Sequence, residues 1–263
     1  MAALKLSLLG PLLLSVRGQA VQNFGYNKVA ALLTYLVIER RPHSRDALAA
    51  LLWPESSDEA ARRSLRVALS HLRRIIDNQC AKAPVLLATR DTIAFNSASS
   101  ASVDALEFTA LLTAVERHID PPHALCATCA QQLAQAAALY KGHFLADLRM
   151  NDSSTFEEWA GLQREQLHRK IVDALNLLLA YHEQHGDYAL AHQYAWRLVE
   201  LEPWDEAAHR CLMRVLWRRG QSGAALAQYN RCQRILAEEF GITPASETTA
   251  LYQSICAPLQ LDA

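Results

Sequence analysis

The chain has 263 residues, 51% hydrophobic and 20% charged, which excludes a disordered chain and supplies enough core for one large domain or two ordinary ones. Its formal charge is −1, yet residues 1–100 hold 13 Lys and Arg against 7 Asp and Glu, a net of +6, while residues 101–263 hold 13 against 20, a net of −7. A basic first third beside an acidic remainder points to a polyanionic partner for the first.

The first twenty residues combine a lysine, an apolar run and a small residue at Ala20, the outline of a secretory leader. Gly10 and Pro11 interrupt that run, and Arg17 stands where a leader needs small neutral residues. Two strands around a Gly-Pro turn, at about 4–9 and 12–16, are expected instead, with a short segment near 20–24. No other apolar stretch reaches the length of a membrane span. The expectation is a cytoplasmic protein without a membrane partner, its six cysteines mostly reduced.

Three helical patterns follow. Val29, Leu32, Leu33, Leu36 and Val37 recur at helical spacing over 27–40. Ser44 is suited to cap a second helix that runs to about Leu52, with Asp46 in its first turn and Pro54 as the break. The third, over 58–76, is introduced by Ser56 and Glu59 in capping-box spacing. Leu65, Ala68, Leu69, Leu72 and Ile75/Ile76 line its buried face. On the other face lie Arg63, Arg66, Val67, Ser70 and Arg74, flanked by Arg62 and Arg73. Arginine pairs with the two guanine acceptors of the major groove and valine meets a thymine methyl; the remaining arginines, Ser70 and His71 suit phosphates. The plainer reading is a solvated helix whose arginines pair with Asp58, Glu59 or Asp77.

Next come two short strands, VLLA and TIAF, around a tight turn, 85–95 in all. The turn holds Arg90 and Thr92, both DNA-contact candidates, with Arg90 placed near the minor groove of a duplex. Strands, three helices and a hairpin make a winged helix-turn-helix arrangement, and that order favours DNA over the plainer reading. The small polar run NSASSAS at 96–102 is the best domain boundary, dividing a DNA-binding domain at 1–96 from a helical one at 103–263. The fold expected is therefore mainly α with small β-sheets: a winged helix followed by an all-α domain of tetratricopeptide-like helices.

Within that second part, helices are expected at 104–117, 129–141, 155–185, 187–200, 205–219, 222–239 and 246–257. Between the first two, His118, His123, Cys126 and Cys129 fall within twelve residues. Three readings stand: a plain loop, a structural or sensory metal site for zinc, and a thiol switch at Cys-x-x-Cys. No cofactor other than zinc is expected. A thiol oxidoreductase built on Cys126 and Cys129 is a further and weaker reading, since no strand precedes them as a thioredoxin-like site would want, and no enzymatic activity is expected. Further on, GDYALA at 186–191 and GQSGAA at 220–225 are offset by 34 residues, the tetratricopeptide period, with Ala191 and Ala225 at matching places. Cys80, Cys211, Cys232 and Cys256 read as structural, and Trp53, Trp159, Trp196, Trp204 and Trp217 as packing residues.

Residues 45–76, RDALAALLWPESSDEAARRSLRVALSHLRRII, resemble the DNA-binding domain of the Streptomyces antibiotic regulatory protein type of activator. LYKGHFLADL, FEEWAGLQREQL, residues 186–232 and LAEEFGITPASETTALYQSI resemble the bacterial transcriptional activator domain that follows it in that family. The resemblance covers nearly the whole chain in the family's domain order. It implies a sequence-specific transcription regulator, with the recognition helix at 58–76 and the wing at 85–95. It further implies binding to repeated promoter sites, contact with RNA polymerase and action as dimers or side-by-side pairs. Family members often continue into an ATPase, but no G-x-x-x-x-G-K-[ST] loop is present, so ATP binding is not expected. The competing functional reading is a protein-interaction scaffold built on the helical repeats, or a metal- or redox-responsive regulator acting through Cys126 and Cys129.

Overall fold

Alternating burial makes the first hairpin. The computed structural model describes residues 4–21, 24–76, 84–118 and 125–261, with side chains to 257. Strand β1 (Leu4–Ser7) pairs antiparallel with β2 (Leu13–Val16), setting Leu4 opposite Val16 and Leu6 opposite Leu14. All four are buried while Lys5 faces out, the two-residue period of a half-covered sheet. β3 (Gln19–Ala20) extends the ribbon.

Six further elements follow: α1 (Asn27–Glu39), β4 (His43–Ser44), α2 (Arg45–Leu52), α3 (Asp58–Ile76) and the hairpin of β5 (Leu86–Ala88) and β6 (Thr92–Phe95). The three helices pack on one another around Leu32, Leu33, Leu36, Leu48, Leu52, Leu65, Leu69 and Leu72, all buried. Truncating any one to alanine is expected to cost about 2–5 kcal/mol. Ser44 caps α2 as expected, its hydroxyl accepting from the Ala47 N–H at 3.1 Å. At α3 the Ser56–Glu59 box is out of register. The Ser57 carbonyl accepts the first helical bond, from Ala61, so Ser57 holds the cap position. Glu59 turns instead to Arg63.

Two small strands escape the sequence pattern. β4 pairs with β6, giving a three-stranded sheet in the order β4-β6-β5. β7 (Ala101–Val103), at the end of the polar run, pairs parallel with β1, giving the order β3-β2-β1-β7. Helix α4 (Asp104–His118) starts directly after it. The Asp104 carboxylate accepts from the Leu8 and Leu9 N–H groups at 2.7 and 3.2 Å, tying the helix start to the residues that follow β1.

Two units emerge: Met1–Thr113 with Ala138–Arg169, and Ala114–Ala137 with Lys170–Ala263. In the first, residues 141–146 run beside the end of the β1 segment. The Lys141 and Leu145 N–H groups donate to the Leu9 and Leu8 carbonyls, and Leu9 bridges Phe144. Ser153 donates to the Leu51 carbonyl at 2.6 Å, and the Trp159 indole donates to Glu39 at 2.9 Å. Trp159 also packs against Tyr35, Phe144 and Phe156, the packing role expected of it.

The second unit is helical. It draws on α5 (Ala127–Leu139), the later part of α6 (Ser154–Gln184), and α7 (Tyr188–Leu201), α8 (Glu206–Arg218), α9 (Ser222–Phe240) and α10 (Ser246–Leu261). Successive helices from α7 to α10 pack as neighbours. The 34-residue offset is physical. Gly186 and Gly220 both take left-handed backbone, φ +72° and +73°. Each is followed by an N–H that reaches back five residues, Asp187 to His182 and Gln221 to Leu216, so the two helices end with the same closing turn. Ala191 and Ala225, at equivalent places, are fully buried. Trp196 and Trp204 depart from the expectation of core packing: they are 41% and 54% exposed. Trp196 lies against the Arg231 guanidinium and donates to Glu200. The whole is mainly α with small sheets, as the sequence led one to expect.

Candidate nucleic-acid interface

The outer face of α3 carries the candidate site. Its inner face is held by the leucines, so rotation of the helix is fixed and the opposite stripe must face solvent. Arg62, Arg63, Arg66, Val67, Ser70, Arg73 and Arg74 are all exposed. From Arg63 to Arg74 the stripe runs about 16 Å at 1.5 Å per residue, and a groove about 12 Å wide admits such a helix. Val67, 58% exposed on this polar face, contributes nothing to the core. Arg66, Val67, Ser70, His71 and Arg74 line a shallow, open concavity of about 420 Å³.

The cations of the stripe are not equivalent. Arg62 makes a two-pronged bond to Asp46 of α2, at 2.6 and 3.0 Å. Arg62 in turn holds the Asp46 carboxyl below its usual value. Arg63 meets Glu59 one turn back at 3.2 Å, a contact between two well-exposed side chains that is worth little in water. Arg66, Arg73 and Arg74 have no carboxylate partner among the described residues. Of the partners considered for the plainer reading, Glu59 is used and Asp77 lies outside the described residues.

His71 sits at the edge of this face. It is half-buried, its Nδ1 accepts from Arg74 at 2.8 Å, and its ring approaches Tyr26. Its Nε2 would lie 2.7 Å from a Cβ placed on Gly25, whose φ is +84°. The left-handed φ favours glycine at 25, and His71, which also lines the concavity, braces Arg74.

The β5–β6 hairpin holds the remaining candidates. Leu86, Leu87 and Ala88 stand opposite Phe95, Ala94 and Ile93. Thr89 and Thr92 close the turn: the Thr89 N–H donates to the Thr92 carbonyl, the Thr92 N–H donates to the Thr89 hydroxyl, and the two hydroxyls meet at 2.9 Å. Thr92 is therefore committed to shaping the turn, and Arg90 is left exposed at its tip. Arg45, which sequence reasoning passed over, ties the hairpin to α2. Its guanidinium donates to the Thr89 carbonyl at 2.9 Å and its N–H to the Asp91 carbonyl at 3.0 Å. Partners 44 and 46 residues away leave no trace in local pattern.

Three members of the second candidate set come together in the other unit. His118 ends α4, Cys126 precedes α5, and Cys129 lies buried in its first turn. Their donor atoms all lie within 4.8 Å of one another. The Cys129 N–H donates to the Cys126 sulfur at 3.3 Å, which draws the Cys126 thiol down, while burial pushes Cys129 up. His123 and Cys80 lie outside the described residues. Cys232 is a buried thiol pushed up to about 11 by desolvation, in keeping with a structural role.

Comparison with known proteins adds a consistent set of similarities. The bacterial transcriptional activator domain family matches residues 103–256. Transcriptional regulatory protein MoaR1 of Mycobacterium tuberculosis is 26% identical over 283 residues, covering 99% of this chain and 81% of its own length. Transcriptional regulatory protein EmbR of the same species is 28% identical, covering 99% of this chain and 65% of its own. Regulatory protein AfsR of Streptomyces coelicolor is 26% identical over 96% of this chain, which spans 24% of that protein. The solved structure of Mycobacterium tuberculosis EmbR in complex with a low affinity phosphopeptide superposes with a TM-score of 0.69 at 27% identity, over 97% of this chain and 65% of that one. No helix among the described residues is long and apolar enough to cross a membrane.

Proposed function

The chain belongs to the bacterial transcriptional activator domain family, and from that premise we propose that it is a transcription regulator that binds promoter DNA in a sequence-specific manner through α3 and the β5–β6 hairpin. Transcriptional regulation is in the names of MoaR1 and EmbR, and regulation in that of AfsR. The observation that carries the DNA reading is the outer stripe of α3: three arginines without carboxylate partners among the described residues, interleaved with an exposed valine and serine, on a helix whose other face is locked in a core.

In this reading α1 to α3 with the hairpin act as a winged helix. Arg66 and Val67, central on the stripe, meet base edges, since a guanidinium can bond two guanine acceptors and a valine can cover a thymine methyl. Arg63, Arg73, Arg74 and Ser70 meet phosphates and set the register. Arg62 adds to them only by exchanging Asp46 for a phosphate. Arg90 reaches the backbone or minor groove from the hairpin tip. One such module buries a small interface, so tight binding needs two copies on repeated half-sites. The helical unit serves pairing, contact with RNA polymerase and signal input. No step requires a catalytic residue.

The test is binding of the purified chain to duplex fragments, its own upstream region among them, over a salt series. Selective binding is expected, with log K falling by about 0.9 per phosphate contact for each log unit of salt, and with the Arg63→Ala/Arg66→Ala variant losing selectivity. Selective binding unchanged in that variant would remove α3 as the reader. No selective binding at any salt would favour a protein-interaction scaffold.

A further inference from the structure

The donor set around Cys129 has a chemistry that the DNA reading leaves unused. Two sulfurs and one imidazole nitrogen converge, with no carboxylate among them. Such a set suits borderline-soft cations and not calcium or magnesium, which take oxygen ligands. Tetrahedral zinc, with bonds of about 2.3 Å to sulfur and 2.0–2.1 Å to nitrogen, holds such donors about 3.6–3.8 Å apart. The three donors already lie within 4.8 Å of one another, so closure on an ion asks for movements of about 1 Å or less.

The placement is equally specific. Cys126 and Cys129 are one helical turn apart at the start of α5, and His118 comes from the last turn of α4. The Cys129 N–H already donates to the Cys126 sulfur, the kind of support that metal thiolates receive. A disulfide would need only the two cysteines. The third donor, delivered by a different helix to the same point, is what separates a metal site from a thiol pair.

We propose that His118, Cys126 and Cys129 bind one thiophilic divalent cation, zinc foremost, and that the ion fastens the end of α4 to the start of α5. Binding releases the two thiol protons, and the two thiolates cancel the charge of the ion. The imidazole stays neutral, and the fourth tetrahedral position is left to water or an added ligand. The exposed side of His118 gives the ion its entry, and the buried Cys129 anchors it.

Cobalt(II) titration of the full chain, reduced and stripped with chelator, tests this directly. One equivalent should raise the strong visible absorption of tetrahedral cobalt together with thiolate-to-cobalt charge transfer, and zinc should bleach both. His118→Ala, an exposed change checked for unaltered helix content, should weaken binding by more than the roughly 10–100-fold that a supporting residue costs. Cys126→Ser should remove most of the charge transfer. Absence of the spectrum at one equivalent would overturn the proposal, as would wild-type affinity in both variants, because the ion would then sit on other residues. Ready formation of a Cys126–Cys129 disulfide by a chain that takes up no cobalt when reduced would equally overturn it in favour of a thiol pair.

Discussion

Replacing Asp104 probes the joint between β1, β7 and α4. The side chain is 9% exposed and accepts three N–H groups, from Leu8 at 2.7 Å, Leu9 at 3.2 Å and Ala105 at 2.7 Å. Leu8 and Leu9 are buried, so water cannot replace the lost acceptor at their N–H groups. Each orphaned donor costs about 1–3 kcal/mol, and Asp104→Ala should therefore destabilise the chain by about 2–6 kcal/mol. Asp104→Asn keeps one acceptor oxygen and should lose about half as much. The two variants also differ in pH response. Burial raises the Asp104 carboxyl above its usual value, and the N–H donors oppose this without cancelling it. The folded chain then holds this proton more tightly than the unfolded one. Between the unfolded and folded values stability falls as pH rises; below and above that window this group adds no slope. Urea unfolding followed by circular dichroism, at a series of acidic pH values, measures both effects. The difference between the wild-type chain and Asp104→Asn should shift in favour of wild type on acidification. A cost below about 1 kcal/mol for Asp104→Ala, or parallel pH curves for wild type and Asp104→Asn, would refute the reasoning.

Three further outcomes are expected. Asp46→Ala releases Arg62 from its carboxylate, so the salt dependence of DNA binding should steepen by up to about 0.9, one added phosphate contact; an unchanged slope would mean that Arg62 stays off the DNA. Arg66→Ala should lower affinity for the preferred sequence by about 1–3 kcal/mol while leaving non-specific affinity nearly intact, if Arg66 reads a base; equal losses on all sequences would make it a phosphate contact. Gly25→Ala combines a left-handed φ with a 2.7 Å approach to His71, and should cost about 1–3 kcal/mol in thermal unfolding; a neutral result would mean that His71 moves aside freely.

What was legible in the sequence had a period or a short range. The helices followed from the spacing of Leu32, Leu36, Leu65, Leu69 and Leu72, because a buried stripe repeats every three or four residues. The Ser44 cap and the Arg63–Glu59 pair lie within one turn and could be read directly. Strands of two or three residues have no measurable period. β7 is held by backbone pairing, so Ala101 and Ser102 read as linker. The Arg62–Asp46, Arg45–Thr89 and Asp104–Leu8 contacts join residues 16, 44 and 96 apart, and only the folded chain brings them together. The cysteine and histidine group was visible as a cluster, but spacing alone did not say which members converge.

The parallel pairing of β1 with β7 has a consequence for synthesis. A growing chain exposes one bare edge of β1 nearly a hundred residues before Ala101–Val103 emerge from the ribosome to pair with it. A product cut at the polar run, near residue 96, never acquires that cover and carries a permanently open strand edge, a surface prone to pair with other chains. A soluble piece holding α1 to α3 should therefore extend beyond Asp104, and truncations that stop short of it are expected to precipitate in proportion to their concentration.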